Sequence, residues 1–234
     1  MKFTIGDLEA HAFCPVIREH PNWVTYKMSG LQEKVPIMIW EVMKFLFARE
    51  LETGKKSPSR IWTAKWVRTF WHHHDRKDEK STAVADGCHI LLQDLYKWYE
   101  QLPGQTALVG FETSLELKED QIELTIPVVQ MNNEKIELIF FDTVSEFGLF
   151  RRDVYVMASV LAIRQALPGV EIATVRGISL HGYKYKELQL HPNDAYYAES
   201  LQSVLGLTSA MKQGLRYPNK KGCKTCDYKS GCVY

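Results

Sequence analysis

The sequence predicts an α/β domain with a mixed sheet flanked by helices, on three observations. Apolar residues recur at helical spacing through the first hundred positions, and alternation at period two takes over from Thr106. A helix, a strand and a further helix then follow the alternating run. The predicted order is three helices, a three-stranded meander, helix, strand, helix and a cysteine-bearing loop.

The first helix is Pro36 to Leu51 (PIMIWEVMKFLFAREL), apolar at helical spacing and opened by a proline. Ser57-Pro58-Ser59 opens a second, Arg60 to His74, which holds Trp62, Trp66, Phe70 and Trp71. Aromatics at i, i+4 and i+8 read as one buried helix face. Arg60, Lys65 and Arg68 interleave with them, and that combination also suits single-stranded nucleic acid, whose bases stack on rings. His72, His73 and His74 close this helix. Adjacent helical residues point about 100° apart, so the three cannot converge on one ion. Ala85 to Leu102 makes the third helix, ending before Pro103-Gly104.

Thr106 to Leu117 reads as a strand, closed by a turn at Lys118-Glu119-Asp120. Gln121 to Gln130 alternates, with Ile122, Leu124, Ile126 and Val128 expected on one side. Met131-Asn132-Asn133 gives a tight turn into a third strand, Lys135 to Val144 (KIELIFFDTV). Leu149 to Leu167 reads as a helix stopped by Pro168-Gly169. Val170 to Tyr185 reads as a strand, and Pro192 to Gln213 as the last helix. In domain terms, residues 1–104 are a helical part, 105–213 an α/β core and 214–234 a cysteine loop, all in one compact domain.

Composition narrows the function classes. With 29 basic and 28 acidic side chains, net charge points to no partner. Its distribution is more informative: Lys55 to Lys80 carries eight Lys/Arg against three acids, and Lys212 to Tyr234 six against one. Such segments are phosphate-binding candidates. No apolar run approaches the roughly 20 residues of a membrane span, and no apolar leader follows Met1, so a cytoplasmic protein is expected, or one of a host cytoplasm if viral.

Three of the five cysteines cluster at the end, as Cys223-Lys224-Thr225-Cys226 and Cys232. Thiolates at this spacing suit zinc or an iron–sulfur cluster. A fourth ligand is available from Cys14, and for zinc also from Cys88-His89, His11 or His20. Spacing alone leaves the metal open. Cys88 otherwise reads as a small buried hydrophobe.

The element order, a lone N-terminal cysteine and the terminal CxxCx5C together resemble the iron–sulfur branch of the PD-(D/E)XK nuclease superfamily. RecB-type nuclease domains, AddB subunits and the small CRISPR-adaptation exonucleases belong to that branch. The resemblance implies that Cys14, Cys223, Cys226 and Cys232 hold a [4Fe-4S] cluster stapling the chain ends around a nuclease core. It also implies a Mg²⁺- or Mn²⁺-dependent site, with carboxylates on neighbouring strands and a lysine that orients the attacking water.

The family signature is incomplete in this sequence. In KIELIFFDTV the matching acid is Asp142, but Val144 stands where the lysine belongs. The preceding strand reads Thr125-Ile126-Pro127-Val128-Val129, with no carboxylate after Glu123. A glutamine–tyrosine helix motif survives as Arg151 to Tyr155, with Arg151 replacing the glutamine. The motif histidine of the helical part aligns with His89 or with one of His72 to His74. Relocated function would fall to Glu112 or Glu116 for the metal, and to Arg151, Arg152 or Lys184 for the lysine. The expected protein is therefore a catalytically degenerate nuclease fold that binds DNA, single-stranded or at ends, within a replication, recombination or transcription complex. Its contacts would be Arg60, Lys65, Arg68, Arg76, Lys77, Arg151, Arg152, Lys220, Lys221, Lys224 and Lys229. The alternatives are an active exonuclease with relocated residues and a metal-stabilised protein-interaction module.

Overall fold

The computed structural model describes residues 1–13, 31–56, 79–141, 143, 145–181 and 183–215. One long strand, β3 (Asp120–Asn132), organises the sheet. On one side it pairs antiparallel with β2 (Gln105–Leu117) along its length. On the other it meets two strands in succession. β1 (Lys2–Thr4) runs parallel beside Gln121 to Glu123, and β4 (Lys135–Phe141) runs antiparallel beside Val128 to Asn132. β4 pairs parallel with β5 (Ile172–His181), which forms a hairpin with β6 (Lys184–Leu190). The six described strands make one mixed sheet, ordered β1-β3-β4-β5-β6 with β2 outside β3.

Helices cover both faces. α1 (Ile5–Phe13), α5 (Val154–Ala166) and α6 (Asp194–Lys212) lie on one, with the single turn α4 (Phe147–Phe150). α2 (Leu31–Thr53) and α3 (Glu79–Gln101) lie on the other. Every residue of α5 from Val154 to Ile163 is buried except Tyr155, the pattern of a helix at the centre of a layer. Opposite it, Met38, Met43, Phe47, Leu91, Leu95 and Tyr99 form an aromatic-rich core between α2, α3 and the sheet. Burying each large side chain contributes about 1.5–3 kcal/mol.

The mixed sheet and its flanking helices agree with the sequence reading, and several details correct it. The expected single face of Ile122, Leu124, Ile126 and Val128 is divided, because the first three enter the α1/α5/α6 core and Val128 the α2/α3 core. Their partners on β2 divide in the same way, Phe111 to the first core and Val109 to the second. Between them Gly110 adopts φ +62°, and Pro127 lies between the paired positions of β3. A left-handed residue on one strand and a residue without an N–H on the other rotate the ribbon, so its inner face becomes its outer face.

The strand expected over 170–185 is two strands, joined as a hairpin that closes at the His181–Lys184 pair. The helix expected from Leu149 breaks because Asp153 accepts bonds from the Tyr155 and Val156 amides and caps a new helix there. α2 begins five residues before Pro36, which therefore lies inside the helix rather than opening it, and α3 begins six before Ala85. β1 was not anticipated; it is three residues long and depends on pairing with β3. The expected helix at 60–74 lies outside the described residues.

Candidate functional site

The family chemistry would sit at the end of β4, beside β3. There the two strands part. Their pairing ends at Val128–Ile139, while Phe140 and Phe141 continue beside β5 alone. Among the described residues β3 is thus without a strand partner on this side from Leu124 to Pro127, between its pairings with β4 and β1. Asp142 and Val144 lie outside the described residues. The Thr143 amide beyond Phe141 still donates to the Ile178 carbonyl at 3.2 Å.

Tyr155 lies beneath this gap. Its ring meets Phe140 edge-on at 5.2 Å between centroids, and its hydroxyl donates to the Thr125 carbonyl. Burial, reinforced by the nearby charges of Glu9 and Asp153, raises the phenol's pKa, so it remains a donor at neutral pH. Arg151 does not share this surroundings. The Asp153 cap separates the two residues, and Arg151 turns towards α6, where it pairs with Glu199 at 2.7 Å and lies 5.9 Å from the Tyr196 ring centroid. The expected helix motif from Arg151 to Tyr155 is therefore divided between two sites.

Glu112 and Glu116 occupy the exposed side of β2, beyond the face exchange at Gly110. They are four residues apart on a strand, about 13 Å. Glu112 borders a groove of about 780 Å³ with Thr4, Glu123 and Thr125. The Glu116 carboxylate accepts from Ser114 at 3.0 Å and Gln121 at 2.6 Å. Phe111 points to the α1/α5/α6 core, so Glu112 lies on the opposite side of the sheet from Tyr155. Among the described residues no group of three His, Cys, Asp or Glu is arranged to hold a metal ion.

Cys14, Cys223, Cys226 and Cys232 lie outside the described residues, as do His20, His72 to His74 and the basic positions Arg60, Lys65, Arg68, Arg76, Lys77, Lys220, Lys221, Lys224 and Lys229. The elements leading towards both cysteine groups do meet. α1 ends at Phe13, just before Cys14, and its Leu8 shares a core with Val204 and Met211 of α6. Cys88 is buried in the α2/α3 core, where burial pushes its thiol up to about 12 and keeps it protonated. His89, beside it, bonds Gln93 at 3.0 Å. His11 is buried.

Sequence reasoning missed a buried polar row on the α2/α3 side. Thr106, Gln130, Glu137 and Thr174 are successive cross-strand partners over four strands. Arg176 binds Glu137 at 2.8 Å and Glu187 at 2.6 Å, and Thr106 donates to Glu50 of α2 at 2.7 Å. Burial opposes the guanidinium's charge, but the two carboxylates outweigh it and raise the Arg176 pKa. The charged positions were visible in sequence. Their convergence was not, because it depends on register between distant strands.

No family model and no curated protein matches the chain. Solved structures do. A candidate exonuclease from Eubacterium rectale superposes with a TM-score of 0.56 over 100% of this chain and 89% of its own, at 10% sequence identity. SSO0001 superposes at 0.40, over 82% of this chain and 96% of its own, at 12% identity. The first likeness concerns the fold alone, which is a mixed sheet between helical layers. Among the described residues no helix is long and apolar enough to cross a membrane.

Proposed function

We propose that this chain is an iron–sulfur, nuclease-fold protein of DNA metabolism that has lost metal-dependent cleavage and binds DNA as part of a larger complex. The observation that carries the reading is the gap between β3 and the end of β4. A cleaving site there needs a carboxylate from β3 facing the Asp142 region, and β3 offers Thr125, Ile126 and Pro127. Tyr155 fills the space below and bonds the Thr125 carbonyl. A single carboxylate would hold Mg²⁺ weakly, through water and substrate oxygens.

The four cysteines are the proposed ligands of a [4Fe-4S] cluster, which would crosslink the two chain ends. The packing of α1 against α6 supports this, since it brings the lead-in to Cys14 onto the helix that precedes the other three. Soft thiolates fit such a cluster, and zinc is the competing occupant. Iron and sulfide assay of anaerobically purified protein separates the two, with Cys226→Ser as the control that should lose metal.

The deciding experiment is a Mg²⁺ and Mn²⁺ titration on end-labelled single- and double-stranded DNA, with Asp142→Ala beside the wild type. DNA binding without cleavage, unchanged by the substitution, is the expected result. Cleavage abolished in Asp142→Ala would overturn the reading and establish an active exonuclease with relocated ligands. Failure to bind any nucleic acid at low salt would instead favour a protein-interaction module.

A further inference from the structure

We propose that the outer edge of β2, from Glu112 to Glu116, docks a basic extended segment of a partner protein, which adds to the sheet as an antiparallel strand. The inference rests on the larger-complex part of the reading above and not on DNA binding. β2 pairs with β3 and with no other described strand, so its far edge is an edge of the sheet. It is 13 residues long and carries neither lysine nor proline. At the opposite edge β6 has seven residues and exposes Lys184 and Lys186. Shortness and lysines guard an edge against strand addition, and β2 has neither.

The phase of the ladder fixes which backbone groups are free. The hairpin turn at Lys118-Glu119 closes on the Leu117–Asp120 pair, and alternation from there directs the Leu115 and Thr113 amides towards β3. The amides and carbonyls of Glu116, Ser114 and Glu112 face away from it. Gln165 of α5 shows the same direction. Its side-chain amide accepts from the Glu116 N–H at 2.8 Å and donates to the Glu116 carbonyl at 3.1 Å. An exposed side chain thus stands where the peptide group of a neighbouring strand would stand, and an incoming strand can displace it. No described residue bonds the outward groups of Ser114 or Glu112.

The side chains along this edge select the occupant. Glu112, Ser114 and Glu116 share the open face of the sheet with their β3 partners Thr125, Glu123 and Gln121. Among the described residues Glu112 and Glu116 make no ion pair, and Glu123 pairs only with Lys2, at 3.5 Å and with both side chains exposed. Lys118, in the turn, pairs with no acid. Three carboxylates against these two cations leave the face acidic. A second copy fits poorly, because antiparallel pairing about Ser114 would set Glu112 of each copy opposite Glu116 of the other, like charge against like. A lysine or arginine at those two positions meets a carboxylate instead. Residues opposite Glu112 and Glu116 also exchange both backbone bonds with them, so the same basic residues supply the cation and the ladder N–H.

The test is fluorescence anisotropy at low salt with a labelled heptapeptide that alternates lysine with threonine and has lysine at both ends. Binding is expected, and it should weaken as salt is added. Backbone N-methylation at the lysines should abolish it, whereas N-methylation at the threonines, whose amides face away, should leave it unchanged. Ser114→Pro removes an outward donor without breaking the ladder to β3, and should weaken the peptide about tenfold. Glu112→Gln combined with Glu116→Gln should weaken it several-fold. Melting curves check that the variants fold, and the methylated peptides test the wild-type chain whatever the proline does to folding. Equal binding of the two methylated peptides would mean that charge alone attracts them, and overturns strand addition. No binding of the parent peptide overturns the site. Self-association in sedimentation that Ser114→Pro abolishes would give the edge to a second copy and overturns the basic partner. A labelled oligonucleotide measured in parallel separates the two readings, since DNA binding without peptide binding overturns the edge alone.

Discussion

Arg176 and Gly177 are neighbours on β5, and they face two different interiors. Arg176 points into the α2/α3 layer, between Glu137 and Glu187. Gly177 points into the α1/α5/α6 layer, where the Phe150 ring lies so close that an added Cβ would fall 2.4 Å from it. One layer tolerates charge by pairing it. The other excludes even a methyl group. The contrast indicates that the α1/α5/α6 side is a close-packed scaffold, whereas the α2/α3 side combines an aromatic core with a polar row whose charges are paired, although the buried Gln130 amide within it makes no hydrogen bond among the described residues.

The largest effect should come from breaking the polar row. Arg176→Met leaves Glu137 buried with no cation beside it and Glu187 half-buried. Removing one partner of a buried ion pair costs about 3–5 kcal/mol. Urea denaturation should show a loss of that size, and adding Glu137→Met should restore much of it. A loss below about 1 kcal/mol in Arg176→Met would show that solvent reaches the row, and the contrast between the layers would fail.

The scaffold side should respond next. Gly177→Ala forces the fully buried Phe150 ring to move, and overpacking of this kind costs about 1–3 kcal/mol. Phe150→Leu in the same chain should relieve part of it, since space returns where the methyl intrudes. Gly87→Ala makes an instructive partner. Its Cβ would also fall 2.4 Å from a ring, that of Tyr183, but Tyr183 is 38% exposed and free to swing outward. Equal losses at Gly177 and Gly87 would contradict the idea that one layer is closed and the other yielding.

Gly110 tests the place where the layers exchange. An alanine Cβ there meets nothing within 4 Å, so its cost is conformational, about 1 kcal/mol for φ +62°. Gly110→Asn, which tolerates the left-handed region better, should cost less than Gly110→Ala. A reversed order in thermal melts would assign the cost to packing rather than backbone.

These positions also show what was legible in advance. The meander was readable because Ile122, Leu124 and Ile126 alternate and because Met131-Asn132-Asn133 signals a turn, although the structure keeps Met131 and Asn132 in β3 and turns at Asn133-Glu134, both at positive φ. α5 was readable from its unbroken apolar run. The face exchange was not, since alternation continues through Gly110 and Pro127 while the ribbon rotates. The division of Arg151 from Tyr155 was hidden for a different reason. Asp153 reads as an ordinary polar residue until its carboxylate is seen capping α5. Of the candidate site, the absence of a carboxylate after Glu123 on β3 was visible at once, whereas the gap that Tyr155 fills required the register of three strands.

The smallest effect concerns the far end of the same ribbon, where the β2–β3 turn meets α6. Asp120 accepts from Lys212 at 2.7 Å, and that hydrogen bond, more than the burial opposing it, lowers the carboxyl's pKa. A carboxyl with a folded pKa below its unfolded value of about 3.9 contributes stability above that value. The contribution is lost as pH falls through the folded pKa. The melting temperature of Asp120→Asn should therefore lie below wild type at neutral pH, and the difference should close in acid, below about pH 4. Lys212→Met should give the same convergence if the pair itself is responsible. A difference that persists undiminished at the acid end would mean that Asp120 acts through the shape of the turn, and that the tie between ribbon and α6 is not electrostatic.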